Sequence, residues 1–136
     1  MTPVGREGRV EVRVRYPEVD RMGVAHHTHH FVWFEIGRTE LMRASGLTYA
    51  AIEQSGVFLP VIQASCSYLA PVRYDDRLIV RTSLAETGAA RVSFSYRIER
   101  EDDGTLLATG ETTHAAVDAS GRPRRLPAEL RDRLSG

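Results

Sequence analysis

The chain has 136 residues, eighteen basic and eighteen acidic side chains, a formal net charge of zero and one cysteine. That length suits one domain spanning 1–136 and is too short for a nucleotide-binding domain joined to a separate substrate domain, while balanced charge gives no field for nucleic acid or an anionic membrane. Every basic residue is arginine, which excludes a lysine Schiff base, and the lone Cys66 excludes an intrachain disulfide and fits a reducing compartment.

Met1 to Gly8 is polar and glycine-rich, without an apolar stretch of signal-peptide length, and no later run is long enough to span a bilayer. A soluble cytoplasmic protein is expected. Val10, Val12 and Val14 alternate with Glu11, Arg13 and Arg15, the period of a strand with one buried face. From His29 to Ser45 the apolar residues Phe31, Val32, Trp33, Phe34, Ile36, Leu41 and Met42 predict a helix that must be well covered. Gly46 is placed to end it. Thr48 is placed to cap a short second helix that stops at Gly56.

Beyond Gly56 the chain reads as strands. Ile62, Ala64, Cys66 and Tyr68 alternate, then Leu78, Val80, Thr82 and Leu84, then Val92, Phe94, Tyr96 and Ile98. Cys66 falls in this pattern as a small buried filler rather than a nucleophile. Turns are expected at Pro71 to Asp76, at Thr87-Gly88 and at Asp102-Asp103-Gly104, with a last strand from Thr105 to Asp118 and a short helix opened by Pro127. This order predicts an α+β fold, a curled, mostly antiparallel sheet wrapped around one long central helix: the hot-dog arrangement.

The chemistry concentrates between Tyr16 and Glu35. Asp20 stands shortly before Gly23, which permits a sharp turn, and four histidines then lead into the long helix. Free N–H groups at a helix start attract developing negative charge, so an acid beside that start suits acyl transfer. Asp20 alone is equally consistent with capping the turn. Glu35 is a second carboxylate, partly buried on the helix, whose plainer role is a buried or interface hydrogen bond. His26, His27, His29 and His30 invite a zinc site, but no His-Glu-x-x-His order or cysteine pair completes one, and solvated or interface histidines are the plainer reading. There is no Gly-x-Ser-x-Gly elbow. Arg91, Arg122, Arg124 and Arg125 are of the type that meets phosphates, and any one of them is also an ordinary surface arginine.

The run Tyr16-Pro17-Glu18-Val19-Asp20-Arg21-Met22-Gly23-Val24, then His27 and Trp33-Phe34-Glu35, resembles the signature of the 4-hydroxybenzoyl-CoA thioesterase family. Leu59-Pro60-Val61 and the block from Tyr68 to Asp76 extend the resemblance over nearly the whole chain. It implies hydrolysis of an acyl-CoA thioester without metal or other cofactor, with the acid at Asp20 and the carbonyl-polarising backbone N–H at His27. Glu35 enters as a supporting acid, and Tyr16, Gly23, Val24 and Arg91 as substrate contacts. It also implies a homodimer or homotetramer with joined sheets and active sites between subunits. Where relatives carry an aromatic residue, asparagine and tyrosine, this chain has His26, His29 and His30. The rival readings are a non-catalytic acyl-CoA-binding module and an enoyl-thioester hydratase on the same scaffold.

Overall fold

The structure is a computed structural model that describes residues 7–135, so most of the polar leader lies outside the described residues. Five strands, β1 (Glu7–Arg13), β2 (Val61–Tyr68), β3 (Arg77–Thr87), β4 (Arg91–Arg100) and β5 (Leu106–Ala115), form one open sheet. Their order is β1-β3-β4-β5-β2, and every neighbouring pair is antiparallel. Helix α1 (His29–Ala44) lies against β1, β3 and β4, α2 (Tyr49–Gln54) follows it, and α3 (Ala128–Ser135) closes the chain. This is the expected hot-dog arrangement.

Both helix stops fall where glycine was expected. At α1, Gly46 adopts φ +83° while its N–H donates to Arg43 and that of Leu47 to Met42, and the buried Leu47 and Met42 side chains complete the stop. Gly56, at φ +85°, ends α2 in the same way, and Thr48 Oγ1 caps its start by accepting from Ala51 N–H. Gly104 turns the β4–β5 hairpin at φ +71°. The last strand is shorter than expected: β5 ends at Ala115, and Val117 makes only isolated bridges to Phe58 and Pro123.

The core is held between α1 and the sheet. Phe34 stacks on Tyr96 with ring centroids 4.4 Å apart, and Trp33, Leu41, Leu78, Val80 and Phe94 have no exposed surface. Gly37 lets the helix approach β3, since a Cβ there would collide with Thr82 Oγ1 and come 2.8 Å from Val80 Cγ1. A buried polar chain crosses the layers: Arg38 donates to Tyr49 and Tyr96, Tyr96 shares a 2.5 Å hydrogen bond with Thr112, and His114 bonds both Thr112 and the Leu59 carbonyl. Burial pushes the His114 pKa down to about 4, so the ring is neutral near pH 7.

Two expectations need correction. The alternation in β2 promised a buried face, yet Val61, Ile62, Ala64 and Tyr68 are exposed and Cys66 is only half-buried, because β2 is an outer strand that α1, lying mainly against β1, β3 and β4, leaves largely uncovered. Glu35 was expected to be partly buried. It is exposed, on the same side of α1 as Val32, because the helix buries only the face that meets the sheet.

Candidate active site

The stretch from Tyr16 to His30 is a tied loop. A 3-10 turn at Tyr16–Glu18 leads into a small hairpin in which Asp20 N–H donates to Val24 O at 2.9 Å, Gly23 N–H returns to Asp20 O at 3.0 Å, and Val19 bridges Ala25. Gly23 sits at φ +75°, a left-handed conformation that a side chain would strain. The segment after β2 pins the hairpin, since Ala25 N–H donates to Val72 O and Tyr74 N–H to Gly23 O.

Asp20 is exposed at the tip. Its Oδ1 accepts from Met22 N–H at 2.8 Å and Val24 N–H at 3.2 Å, so it does cap the turn, and Oδ2 has no partner among the described residues. One oxygen is structural and the other is free to act. Backbone donors to one oxygen also fix the plane of the carboxylate, which aims the second.

The helix start, at His29, lies nine residues on from Asp20. His26 N–H donates to the Glu18 carbonyl, and the His26 ring takes over the capping: its Nδ1 lies 2.8 Å from Thr28 Oγ1 and accepts weakly from Thr28 N–H. His27 N–H donates to no described group. The His27 carbonyl, in contrast, accepts from Tyr68 Oη at 2.9 Å and His30 Nδ1 at 3.1 Å. Burial lowers the His30 pKa, and the nearby His27 and His29 rings add to that against the opposing bond to the His27 carbonyl. A carbonyl only accepts, so neutral His30 carries its proton on Nδ1.

Beside these groups lies a cleft of about 330 Å³ lined by Val24, His27, His30, Tyr68, Leu69 and Val72. Most of its wall is apolar, the surface an acyl chain or ring prefers. Tyr16 stands at the exposed rim, edge-on to Tyr74 at 5.7 Å. The structure therefore gathers Tyr16, Asp20, Gly23, Val24 and His27 into one region. Glu35 is not brought to Asp20; it lies six residues into α1 from His29, about 9 Å along the axis. Arg91 is also elsewhere, in a polar cleft of about 480 Å³ at the start of β4 with Gln63, Ser93, Glu111 and Thr113, and makes no ion pair among the described residues. Arg124 is committed to the Gly56 carbonyl at 2.8 Å. The His26 and His27 rings lie 4.3 Å apart, His29 stands edge-on to His26 at 6.3 Å and His30 packs against Trp33, and no group of three metal-binding side chains occurs among the described residues.

Three residues emerge in parts that the sequence did not assign to them. Glu18, 3% exposed, accepts from Arg15 N–H at 2.7 Å and from Trp33 Nε1 at 3.3 Å, tying the loop to the helix it feeds. Tyr68 and His30 hold the His27 carbonyl. Glu18 and His30 were visible as members of a motif; the Tyr68 contact spans 41 residues and leaves no local signal.

Residues 14–134 match the Thioesterase-like superfamily. YneP of Bacillus subtilis, described as a putative acyl-CoA thioesterase, is 33% identical over 108 residues, covering 79% of this chain and 78% of its own. The acyl-CoA thioester hydrolase YbgC of Escherichia coli is 31% identical over 123 residues, or 90% of this chain and 91% of its own. A hypothetical protein of Thermus thermophilus, solved as a crystal structure, is 38% identical and superposes with a TM-score of 0.87 over 96% of each chain. The 1,4-dihydroxy-2-naphthoyl-CoA thioesterase of Synechocystis, at 22% identity, shares the fold with a TM-score of 0.88 over 95% of this chain and 96% of that one. With the match running from Val14 to Leu134 and the hot-dog sheet and helix in place, the chain belongs to the thioesterase-like superfamily.

Proposed function

We propose that this protein hydrolyses acyl-CoA thioesters to the free acid and coenzyme A, with Asp20 as the reacting carboxylate and the His27 backbone N–H as the oxyanion donor. The carrying observation is a free Asp20 Oδ2 and an unpartnered His27 N–H on one pinned loop, of which Val24 and His27 line an apolar cleft. Two relatives at 33% and 31% identity bear acyl-CoA thioesterase names, which supports the substrate class. Asp20 Oδ2 either takes a proton from water as it attacks the carbonyl or adds to that carbon itself. In both routes the carbonyl oxygen becomes negative, His27 N–H stabilises it, and the thiolate of coenzyme A leaves and takes up a proton; in the second route the acyl group is left on Asp20 as a mixed anhydride, which water then cleaves to the free acid and the Asp20 carboxylate. Glu35 is assigned a supporting part only, away from the bond that breaks. The motif resemblance to the 4-hydroxybenzoyl-CoA branch makes aryl thioesters the first to test.

The active unit is a homodimer, or a homotetramer built from it. The outer edge of β2 is unpaired by the chain itself and carries the exposed Val61, Ile62 and Tyr68. Antiparallel pairing of two β2 strands about a two-fold axis sets the start of one beside the end of the other. The start of β2 adjoins an apolar cleft of about 520 Å³ lined by Tyr49, Ile52, Phe58, Leu59, Pro60 and Val117; the end carries Tyr68 and the His27 cleft. Pairing would join these into one acyl pocket, and would bring Arg91, near that same start, to the coenzyme A phosphates at the other subunit's Asp20.

The test is thiol release from a panel of aryl and aliphatic acyl-CoA thioesters, with the organic product identified by mass. Free thiol and free acid in chelator are expected. A hydrated enoyl thioester, or no turnover across the panel, would overturn the reading.

A further inference from the structure

The His27 carbonyl lies just outside α1, one residue before its N-cap Thr28; were the helix to begin one residue earlier, that carbonyl would accept from the N–H of Phe31, four residues on. Here Phe31 N–H donates to Thr28 O at 3.2 Å, one residue short of that partner, and His29 N–H likewise donates to His26 O at 3.1 Å. The first turn is wound tight in the 3-10 manner. The His27 carbonyl, left outside the ladder, is taken up by two side chains, Tyr68 Oη and His30 Nδ1. That carbonyl lies in the peptide plane after His27; the plane before it, which carries the His27 N–H, is held through the His26 carbonyl by His29 N–H, so both planes flanking His27 are tied and the direction of its N–H with them.

We propose that Tyr68 is a positioning residue for the reaction: its hydroxyl, acting with His30, holds the His27 carbonyl outside the helical ladder and so, together with the His29–His26 bond on the preceding peptide plane, keeps the His27 N–H unpaired and directed at the thioester. This rests on the hydrolytic reading above. The geometry of the ring suits the task. Tyr68 stands edge-on to the His30 imidazole at 4.7 Å and 82° and to the His27 imidazole at 6.2 Å and 87°, which confines its hydroxyl to the bond it makes. It is the last residue of β2, so a strand end rather than a mobile loop delivers it. Without that hydroxyl, His30 is the sole side-chain donor, and Phe31 N–H can capture the carbonyl. Capture rotates the His27 backbone and turns its N–H away.

Tyr68→Phe separates this from a packing role, because the ring stays and only the hydroxyl goes. The expected result is a fall in kcat of roughly ten- to a hundredfold, somewhat less than deleting an oxyanion donor outright, with KM within about twofold. The second readout needs no turnover. An uncleavable ketone analogue of an acyl-CoA, labelled at its carbonyl carbon, should show a lowered infrared carbonyl stretch when bound to the wild type, and at least about half of that lowering should vanish in Tyr68→Phe. If the variant keeps both the wild-type kcat and the full infrared shift, Tyr68 does not position the donor. A wild type that releases no thiol would count against hydrolysis alone, since the two infrared shifts still decide the role of Tyr68.

Discussion

Asp20 has one observed job, capping the turn, and one proposed, the reaction, and substitution can divide them. Oδ1 accepts two backbone N–H groups, from Met22 and Val24, while Oδ2 has no described partner. Asn keeps an oxygen for both N–H groups and removes only the charge and the basicity; Ala removes everything. Two exposed hydrogen bonds of this kind contribute about 1–2 kcal/mol together, the low end of the usual range because water replaces them. For a chain of this length that corresponds to a Tm lower by roughly 3–8 °C in Asp20→Ala and nearly unchanged in Asp20→Asn. Activity should order differently. Both variants should lose at least about a hundredfold in kcat, since neither holds a base or nucleophile. Glu35→Gln should lose much less, because that carboxylate is exposed and about 9 Å along α1 from its start. The assay is thiol release at saturating acyl-CoA beside a thermal melt of each variant. If Asp20→Asn keeps wild-type kcat while Asp20→Ala loses it along with stability, Asp20 is only a turn cap and the reacting acid lies elsewhere.

Three further outcomes are expected. Gly37→Ala forces a methyl group against Thr82 Oγ1 and Val80 Cγ1 in the core, so despite the better helix propensity of alanine it should destabilise by about 1–3 kcal/mol in denaturant melts; an unchanged midpoint would mean that α1 lifts from β3 at no cost. His114 has a folded pKa of about 4 against 6.5 unfolded, so its contribution is complete above pH 6.5 and is lost as pH falls toward 4. Wild type should therefore lose up to roughly 3 kcal/mol more than His114→Gln between pH 7 and 4, and parallel losses in the two proteins would reject a neutral, proton-excluding His114. Ala64→Asp places like charges near the proposed two-fold on β2 and should give a folded monomer by light scattering that has lost thiol release; a monomeric variant with full kcat/KM would reject a site shared between subunits.

What the sequence revealed about this protein was mostly local. Glycine at positive φ stopped both helices, Thr48 capped α2, and Gly23 turned the loop at Asp20, each within a few residues of its cause. Pattern also found the sheet, because alternation needs only neighbours. It failed at β2, where alternation reports an apolar face and says nothing of whether the same chain covers it. It failed at Glu35 for a related reason: an apolar-rich helix does not declare which face meets the sheet. At Asp20 the two readings of the sequence were not rivals, since one oxygen caps the turn while the other is free. Tyr68 was out of reach, because its partner is a carbonyl 41 residues away and a backbone acceptor has no identity in sequence.

The exposure of the site carries an argument of its own. Asp20 is open to water in the isolated chain, as are Tyr16 at 75% and Met22 at 84%. A hydrogen bond from His27 N–H to a developing oxyanion is weak in water and much stronger in a drier site, because the effective dielectric falls. An acid and a donor on an open rim are therefore not yet an efficient catalyst. Something apolar has to close over them, and the uncovered β2 edge ends at that rim, with Tyr68, itself 46% exposed, as its last residue. The apolar cleft at the other end of β2, formed by Phe58, Leu59 and Pro60 beside α2, is a cover of the needed character at the wrong end of its own chain. Over the eight residues of β2 the two ends lie about 23 Å apart, a gap that no side chain bridges and that a two-fold axis through the strand closes. The pairing proposed above, which would satisfy an exposed strand edge, would thus also supply the dry wall that the proposed chemistry at Asp20 requires, and would do so twice per dimer.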